Sequence, residues 1–208
     1  MNIDQIKKEF PIFDNKVQNN DLVYLDSANS SQKPRIVIDR IYDFYSKEFS
    51  NVGRSVHYLA VAATNLYEET RSSVQKYINA LDKNEIVFTK GATEAINLVA
   101  NTFGQKYLDE GDEVLITELE HHSNYVPWHF LRKSKKINIE FAEVNDQGEV
   151  TLEEIKKKIT NKTKIICITH LSNVTGAILP IKEIVNLAHS KGIPVLVDGC
   201  QGAPHLKL

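Results

Sequence analysis

The chain has 208 residues, of which 42% are hydrophobic and 25% charged, a composition typical of a globular protein with a sizeable core. Its 25 basic and 27 acidic residues leave a net charge of −2, so we expect neither nucleic acid nor a membrane as a partner. Two cysteines without metal-ligand spacing predict no disulfide framework and no metal site. No apolar run could cross a bilayer and no secretory signal is recognisable, so a reducing, cytoplasmic location is the expectation.

Hydrophobic periodicity predicts alternating helices and strands. In chain order, the predicted elements are an extended piece at 23–25, helices at 34–49 and 58–80, a strand at 85–89, a helix at 93–107, a strand at 113–117, a helix at 126–133, a strand at 137–144, a helix at 152–159, a strand at 164–169, a helix at 181–191 and a strand at 194–198. This alternation predicts right-handed βαβ units. We therefore predict an α/β fold with a mainly parallel sheet between helices in residues 81–208, preceded by a helix-rich arm in residues 1–80.

A small-residue turn, Lys90-Gly91-Ala92-Thr93, follows the strand predicted at 85–89 and opens a helix. The free N–H groups and the positive dipole end of that helix, together with the Thr93 hydroxyl, could cradle a phosphate. The alternative is that Gly91 only permits a tight turn while Thr93 caps the helix. Neither GxxxxGK nor GxGxxG occurs in the chain, which excludes the common nucleotide loops.

Two adjacent histidines, His121 and His122, follow the strand predicted at 113–117. Side chains of adjacent residues point in different directions, and no histidine lies four positions from another, so the pair is a poor metal site. One ring could instead stack on an aromatic cofactor or carry protons. The alternative is that one histidine caps a helix while the other is exposed to solvent.

Polar residues also follow two later strands, at Asn173 and at Asp198 with Gln201. Asn173 could hydrogen-bond a ligand or only its own turn. Asp198 ends an apolar strand, where a carboxylate is costly without a positive partner. That partner is either a neighbouring Arg or Lys or a protonated nitrogen of a ligand. Combined with a phosphate cradle and a flat histidine ring, these groups fit pyridoxal 5′-phosphate, whose pyridinium nitrogen pairs with an acidic residue.

Five stretches of the sequence carry a family resemblance: YLDSANSSQKP, EIVFTKGATEAINLVA, ELEHHSNYVPW, ITHLSNVTGAILPI and VLVDGCQGAPH. They resemble the N-terminal portion of the SufS-type (group II NifS-like) cysteine desulfurases, in the class V aminotransferase family of fold-type I pyridoxal-phosphate enzymes. The resemblance runs almost from Met1 to Leu208. It implies the large domain of that fold, incomplete at its C-terminus, in a homodimer. The implied reaction converts L-cysteine to L-alanine and passes sulfur as a persulfide, through a sulfur-acceptor protein, to iron–sulfur cluster assembly.

The resemblance also implies roles for individual residues around the cofactor. Ala92 and Thr93 would hold the phosphate at the helix N-terminus, and His122 would stack on the pyridine ring and assist proton transfer. Asp198 would pair with the pyridinium nitrogen, and Gln201 would hydrogen-bond O3′ of the ring.

Four residues match the substrate side of the family's site. Asn173 would approach both O3′ and the substrate carboxylate. Ala28, Asn29 and His57 match the substrate mouth, with His57 reaching a partner subunit. The family usually has alanine where Asn29 stands, which leaves the substrate open between cysteine and related amino acids.

Other positions depart from the family pattern. Gly53 and Ser55 replace a His and a Gly of the usual NVHRG, and Cys200 replaces a more common Ala and is expected to be a small packed residue. The family's Schiff-base lysine follows a Ser-x-His-Lys motif, which these residues lack, as they lack the sulfur-accepting Cys. We therefore expect the chain alone to be inactive. The alternatives are another class V enzyme, such as a selenocysteine lyase or an aminotransferase-like protein, and a non-catalytic fragment of the fold.

Overall fold

The computed structural model describes residues 2–208, which form two compact units, one ending at Ile86 and the other running from Val87 to Leu208. No helix within residues 2–208 is both long and apolar enough to cross a lipid bilayer. The second unit contains the parallel sheet, and it is the unit that positions most of the predicted site residues.

The first unit is mainly helical. Its elements are helix α1 (Ile3–Lys8), a 3₁₀ turn (Pro11–Asp14), strands β1 (Lys16–Val17) and β2 (Asn20–Asp21), helix α2 (Arg35–Asp43) followed by a π-helical turn (Phe44–Glu48), helix α3 (Tyr58–Tyr77) and a 3₁₀ turn (Lys83–Glu85). The sequence predicts α2 and α3 but neither α1 nor the hairpin, whose strands are too short to show a period. Among the described residues of this unit, the buried apolar ones are Ala60, Ala63 and Ile86.

The second unit alternates helices and strands. Its elements are helix α4 (Ala92–Val99), which continues through a π-helical turn (Ala100–Gly104) into α5 (Gln105–Tyr107), strand β3 (Glu113–Thr117), helix α6 (His122–Lys135), strand β4 (Asn138–Ala142), helix α7 (Leu152–Lys158), strand β5 (Thr163–Thr169), helix α8 (Ile181–His189) and strand β6 (Val195–Asp198). Each of these strands overlaps one predicted from the sequence.

The four strands of the second unit form one sheet in the order β4-β3-β5-β6, and every neighbouring pair is parallel. The predicted α/β fold with a parallel sheet is therefore confirmed. Because all four strands run the same way, their carboxyl ends meet at one edge of the sheet, where ligands bind in folds of this kind.

Alternate residues of the strands pack into two separate hydrophobic cores. Leu115 and Ile166 belong to one core, with side chains from α7 and α8. Val114 and Cys167 belong to the other, with Trp128 from α6. Successive strand side chains point to opposite faces, so both faces of this sheet are covered by helices.

The predicted strand at 85–89 is wrong. Lys83–Glu85 form a 3₁₀ turn in which Asp82 accepts a hydrogen bond from the N–H of Asn84 at 2.7 Å, and no residue from 86 to 89 joins a strand within the described chain. Val87 is 67% exposed. A short apolar run alone does not make a strand, because the backbone groups of a strand also need a partner in the sheet.

Helix α6 begins at His122, four residues before the predicted start at Val126. Pro127 suggests a helix start because proline favours the first turn. In the structure, Nδ1 of His121 accepts a hydrogen bond from the N–H of Ser123 at 3.2 Å and caps the helix earlier, so Pro127 lies inside it.

Candidate active site

Asp198 ends strand β6 at the carboxyl edge of the sheet and is only 7% exposed. Its Oδ1 accepts a hydrogen bond from the N–H of Cys200 at 3.0 Å, and its backbone carbonyl accepts one from the N–H of His170 at 2.9 Å. No ion pair within residues 2–208 includes this carboxylate. Of the two partners that the sequence allows, the neighbouring Arg or Lys is therefore absent from the described residues.

A cavity of about 180 Å³ lies beside Asp198. One wall comes from helix α4 and the other from the end of strand β6 and the turn after it; the lining residues are Ala92, Ala95, Ile96, Val99, Leu196, Val197, Asp198, Gly199 and Cys200. The walls are apolar, and Asp198 is the one acidic residue among them. Such a cavity suits a flat ring that carries a positive charge near the carboxylate.

The cavity joins Asp198 to the N-terminal turn of α4, where the sequence predicts a phosphate cradle. Gly91 is the N-cap residue and has no side chain with which to cap the helix. Glu94 instead accepts a hydrogen bond from the N–H of Lys90 at 2.6 Å. Thr93 lies exposed in the first turn and is not the cap. The arrangement leaves the positive end of the helix dipole free of a capping side chain.

The two adjacent histidines have different environments. His121 caps helix α6, whereas His122 is the first residue of the helix and is exposed. Their rings meet edge to face with centroids 5.5 Å apart. Within residues 2–208, no group of three or more His, Cys, Asp or Glu side chains is placed to hold a metal ion.

Asn173 and Gln201 lie in turns after strands β5 and β6. Asn173 is exposed, in a turn that the Ser172 hydroxyl stabilises by accepting hydrogen bonds from the N–H groups of Val174 and Thr175, both at 3.3 Å. Gln201 is half-buried. Of the predicted cofactor-binding residues, Ala92 and Asp198 line the cavity, whereas the other four lie outside its described lining.

The predicted substrate-mouth residues of the first unit have local roles. Asn29 donates through Nδ2 to the Asp26 carboxylate at 3.3 Å, in a turn that places Ala28 on the surface. His57 is the N-cap of α3, and its Nδ1 accepts a hydrogen bond from the N–H of Ala60 at 3.4 Å. Capping fixes the His57 ring at the start of the helix.

Cys200 differs from its prediction as a packed residue, because it is exposed. Its thiol is nevertheless partly desolvated and adjoins the negative charge of Asp198, and these two effects raise the pKa of Cys200 to about 11. The sulfur is therefore protonated at neutral pH and a weak nucleophile.

Sequence reasoning missed Glu120, which lies between the end of β3 and the start of α6. Its carboxylate accepts hydrogen bonds from Thr117 Oγ1 at 2.6 Å, Asn124 Nδ2 at 2.7 Å and the N–H of Thr169 at 2.9 Å. Burial raises the pKa of Glu120 against the effect of these three donors, and the charge of Asp198 adds to the rise. Its position, three residues after the end of β3 and two before His122, is a weak signal that does not distinguish it from Glu118.

Known proteins resemble this chain over nearly its whole length. A model of the family Aminotransferase class-V matches residues 23–208. The chain belongs to this family. A protein of Halalkalibacterium halodurans named "Probable cysteine desulfurase" is 47% identical over 208 residues, which are 100% of this chain and 51% of that protein. A cysteine desulfurase of Wigglesworthia glossinidia brevipalpis is 43% identical over 99% of this chain and 50% of its own length.

Solved structures of cysteine desulfurases also resemble this chain over its whole length. The apo structure of a cysteine desulfurase from Thermococcus onnurineus superposes with a TM-score of 0.90 at 34% identity, covering 100% of this chain and 50% of that one. A cysteine desulfurase from Escherichia coli gives a TM-score of 0.86 at 35% identity, covering 100% of this chain and 51% of that one. This chain thus spans about half the length of these relatives.

Class-V aminotransferases depend on pyridoxal 5′-phosphate, and the residues at the carboxyl edge fit that cofactor. The cavity between α4 and β6 has apolar walls for a ring, and Asp198 offers a carboxylate that is in no ion pair within residues 2–208. The N-terminus of α4, at one side of the same cavity, has the N–H groups and dipole that a phosphate requires.

Proposed function

We propose that residues 81–208 form the cofactor-binding part of a cysteine desulfurase, with residues 1–80 as its N-terminal arm. The proposed reaction converts L-cysteine to L-alanine and transfers the sulfur as a persulfide for iron–sulfur cluster assembly. The buried carboxylate of Asp198, which has no ion-pair partner within residues 2–208, carries this proposal. A buried charge of this kind favours a ligand that brings the opposite charge.

Bound pyridoxal 5′-phosphate supplies an electron sink for the carbanion chemistry of amino acids. Asp198 would hold a proton on the ring nitrogen, which keeps the ring electron-deficient. Ala92 and Thr93 would orient the phosphate at the N-terminus of α4. His122, at the first position of α6, would cover the ring and move a proton at the substrate carbon.

The remaining predicted residues complete the proposed site. Gln201 would donate a hydrogen bond to O3′, and Asn173 would orient the substrate carboxylate beside it. Ala28, Asn29 and His57 would form the substrate mouth. A homodimer, a sulfur-acceptor protein and a cytoplasmic location belong to the same proposal, in keeping with two cysteines that are both free of disulfides.

The decisive experiment removes the charge of Asp198 in the intact protein. Asp198→Asn is expected to weaken the affinity for pyridoxal 5′-phosphate by about 2–5 kcal/mol, because the pyridinium loses its counter-charge while the amide keeps the shape. The measurement is a titration of the protein with cofactor, followed by absorbance and fluorescence.

Asp112→Asn is the matched control, because Asp112 Oδ2 also accepts a nearby N–H, from Asp109 at 2.8 Å, but lies before strand β3 at the opposite edge of the sheet. It should bind the cofactor like the wild type. Equal affinity of the Asp198→Asn protein and the wild type would sink the proposed role of Asp198.

The substrate is tested on the same intact protein by measuring alanine release from L-cysteine and from L-selenocysteine. Preference for L-cysteine is expected. Exclusive use of selenocysteine, or transamination without sulfur release, would move the function to another class V enzyme. Residues 1–208 contain no Ser-x-His-Lys motif, so a polypeptide of these residues alone should release no alanine.

A further inference from the structure

Glu120 joins three separate segments at the carboxyl edge of the sheet. Its Oε1 accepts hydrogen bonds from Thr117 Oγ1, at the end of β3, and from the N–H of Thr169, at the end of β5. Its Oε2 accepts a hydrogen bond from Nδ2 of Asn124, in the first turn of α6. One side chain therefore fixes two strand ends and the start of a helix.

Two of these segments lead directly to proposed cofactor contacts. Thr169 is the register partner of Asp198 in the β5–β6 pair, and the next residue, His170, donates its N–H to the carbonyl of Asp198. Asn124 lies in the helical turn that opens with His122. The hydrogen bonds of Glu120 thus connect the chain segment of Asp198 with the chain segment of His122.

We propose that Glu120 is a positioning residue that fixes the His122 segment relative to Asp198 by hydrogen-bonding Thr117, Thr169 and Asn124. This inference rests on the proposed function in one respect, that His122 and Asp198 serve the same cofactor. Glu120 itself touches neither side chain in any described hydrogen bond, so its effect is transmitted through the segments that it holds.

The cost of placing a carboxylate at Glu120 indicates that this residue positions its neighbours rather than only stabilising the fold. Desolvation raises the pKa of Glu120, and the negative charge of Asp198 raises it further. A second acid beside a buried acid costs stability, and an apolar residue of similar volume would avoid that cost. An apolar side chain, however, could not accept the hydrogen bonds of the three donors and hold them in place.

Asn124 offers a way to separate geometry from charge. Its Oδ1 is buried and has no hydrogen-bond partner in the described structure. In Glu120→Gln, the glutamine Oε1 can keep the bonds from Thr117 and Thr169, and its Nε2 can donate to Asn124 Oδ1 once that amide turns over. This variant keeps all three connections without the charge, whereas Glu120→Ala removes them all.

Glu113, the first residue of β3, provides a matched control at the opposite edge of the sheet. It is 8% exposed, and its carboxylate accepts hydrogen bonds from the hydroxyls of Thr160 and Thr163. Glu113→Ala therefore also removes a buried carboxylate that accepts threonine hydroxyls, but at the amino edge of the sheet, away from the proposed site.

The experiment measures two properties of the intact protein: exchange of the Thr169 amide hydrogen without cofactor, and affinity for pyridoxal 5′-phosphate with visible circular dichroism of the bound cofactor. Glu120→Ala should accelerate exchange at Thr169 and weaken cofactor affinity by about 10–100-fold, the scale seen when residues that orient the direct ligands of a bound group are lost. Glu120→Gln should stay near wild type in both. Glu113→Ala should lower the melting temperature without changing either.

Three outcomes would overturn the proposal: wild-type cofactor affinity in Glu120→Ala, an equal loss of affinity in Glu113→Ala, or a loss in Glu120→Gln as large as in Glu120→Ala. If Glu120→Ala does not fold, Thr117→Val removes one connection with little change in volume and should give a smaller loss in the same direction. If the wild type does not bind the cofactor, the proposed function fails, and Thr169 exchange still tests the connection itself.

Discussion

The acidic residues at the two edges of the parallel sheet have different partners. Each edge has one glutamate that accepts hydrogen bonds from neutral donors: the buried Glu113 at the amino edge and the partly buried Glu120 at the carboxyl edge. Each also has an aspartate. Asp112 has the ammonium of Lys164 at 3.7 Å, whereas Asp198 is in no ion pair within residues 2–208. At the amino edge the aspartate has a lysine of the protein as its partner, whereas at the carboxyl edge the aspartate keeps a charge that a ligand can neutralise.

This difference shows why strand ends are informative in a sheet of this type. The same backbone and the same two cores support both edges, so packing does not explain why the acids differ. The local sequence does: Lys164, the second residue of β5, supplies a cation at the amino edge, whereas a glycine follows Asp198 at the carboxyl edge. Changes that act on both edges, on one edge or on one ion pair should therefore have graded effects.

The largest effect should come from the core that both edges share. Ile166 is fully buried in the central strand β5, and Ile166→Ala is expected to lower the free energy of unfolding by about 2–5 kcal/mol, because it removes apolar contacts and leaves a cavity. Urea unfolding of the intact protein measures it. Val174→Ala, at a position 84% exposed, is the control and should change stability by less than about 0.5 kcal/mol. We expect both edges of the sheet to unfold in one cooperative transition.

A smaller effect confined to the carboxyl edge should come from Gly202→Ala. A Cβ at Gly202 would lie 2.7 Å from Nδ1 and 2.9 Å from Cβ of His170, so the turn after β6 must shift. We expect a loss of about 1–3 kcal/mol in thermal or urea unfolding. At Gly199 a Cβ would meet Ala203 at an ordinary 4.0 Å, so Gly199→Ala should be tolerated. Equal stability of the two variants would contradict the contact with His170.

Stability should depend on pH through Glu120, at the carboxyl edge of the sheet. The pKa of Glu120 lies above its ordinary value of 4.5 because of burial, so the folded protein binds this proton more tightly than the unfolded chain. The resulting stability is fully present below about pH 4.5 and is lost as the pH rises through the folded pKa.

Glu120→Gln removes this titration. The free energy of unfolding of the variant should therefore increase relative to wild type as the pH rises from acidic to neutral. Urea unfolding at a series of pH values measures the difference. Besides burial, the charge of Asp198 raises the pKa of Glu120. Burial raises the pKa of the Cys167 thiol well above its usual range, and the charge of Glu120 raises it further. A pH-independent difference would refute the raised pKa.

The smallest effect should come from the ion pair of the amino edge. Lys164 and Asp112 are partly exposed, with side-chain exposures of 46% and 18%. Lys164→Met is expected to cost about 0.2–1 kcal/mol at low salt and less at high salt, as for other solvent-screened pairs. It should leave cofactor affinity unchanged, in contrast to Asp198→Asn. A loss of affinity would mean that the two edges are not independent.

The sequence predicts the parallel sheet well because buried strands such as the one from Thr163 to Thr169 contain a continuous apolar run, here residues 165–168, and lie between amphipathic helices. It fails at 85–89, where the apolar pattern is present but the backbone has no strand partner in the described residues. It also places the start of α6 four residues too late, although the alternative that one histidine caps a helix while the other is exposed agrees with the structure.

The candidate site was only partly predictable. The sequence singles out Asp198 and Ala92, which both line the cavity, because Asp198 ends an apolar strand and Ala92 opens a helix. Glu120 could not be singled out, since its role depends on a hydrogen bond to Thr169, 49 positions away in the chain. The exposure of Cys200 likewise depends on how the turn after β6 packs.

The small number of buried apolar residues described in the first unit predicts where a protease would cut the native protein. Among residues 2–86, few side chains are buried, Ala60 and Ala63 among them, while aromatic residues such as Tyr42 and Phe49 are exposed at 71% and 59%. Local opening costs little free energy where few apolar contacts are lost. A protease added under native conditions should therefore cut first before Ile86 and leave the sheet of the second unit as the resistant core.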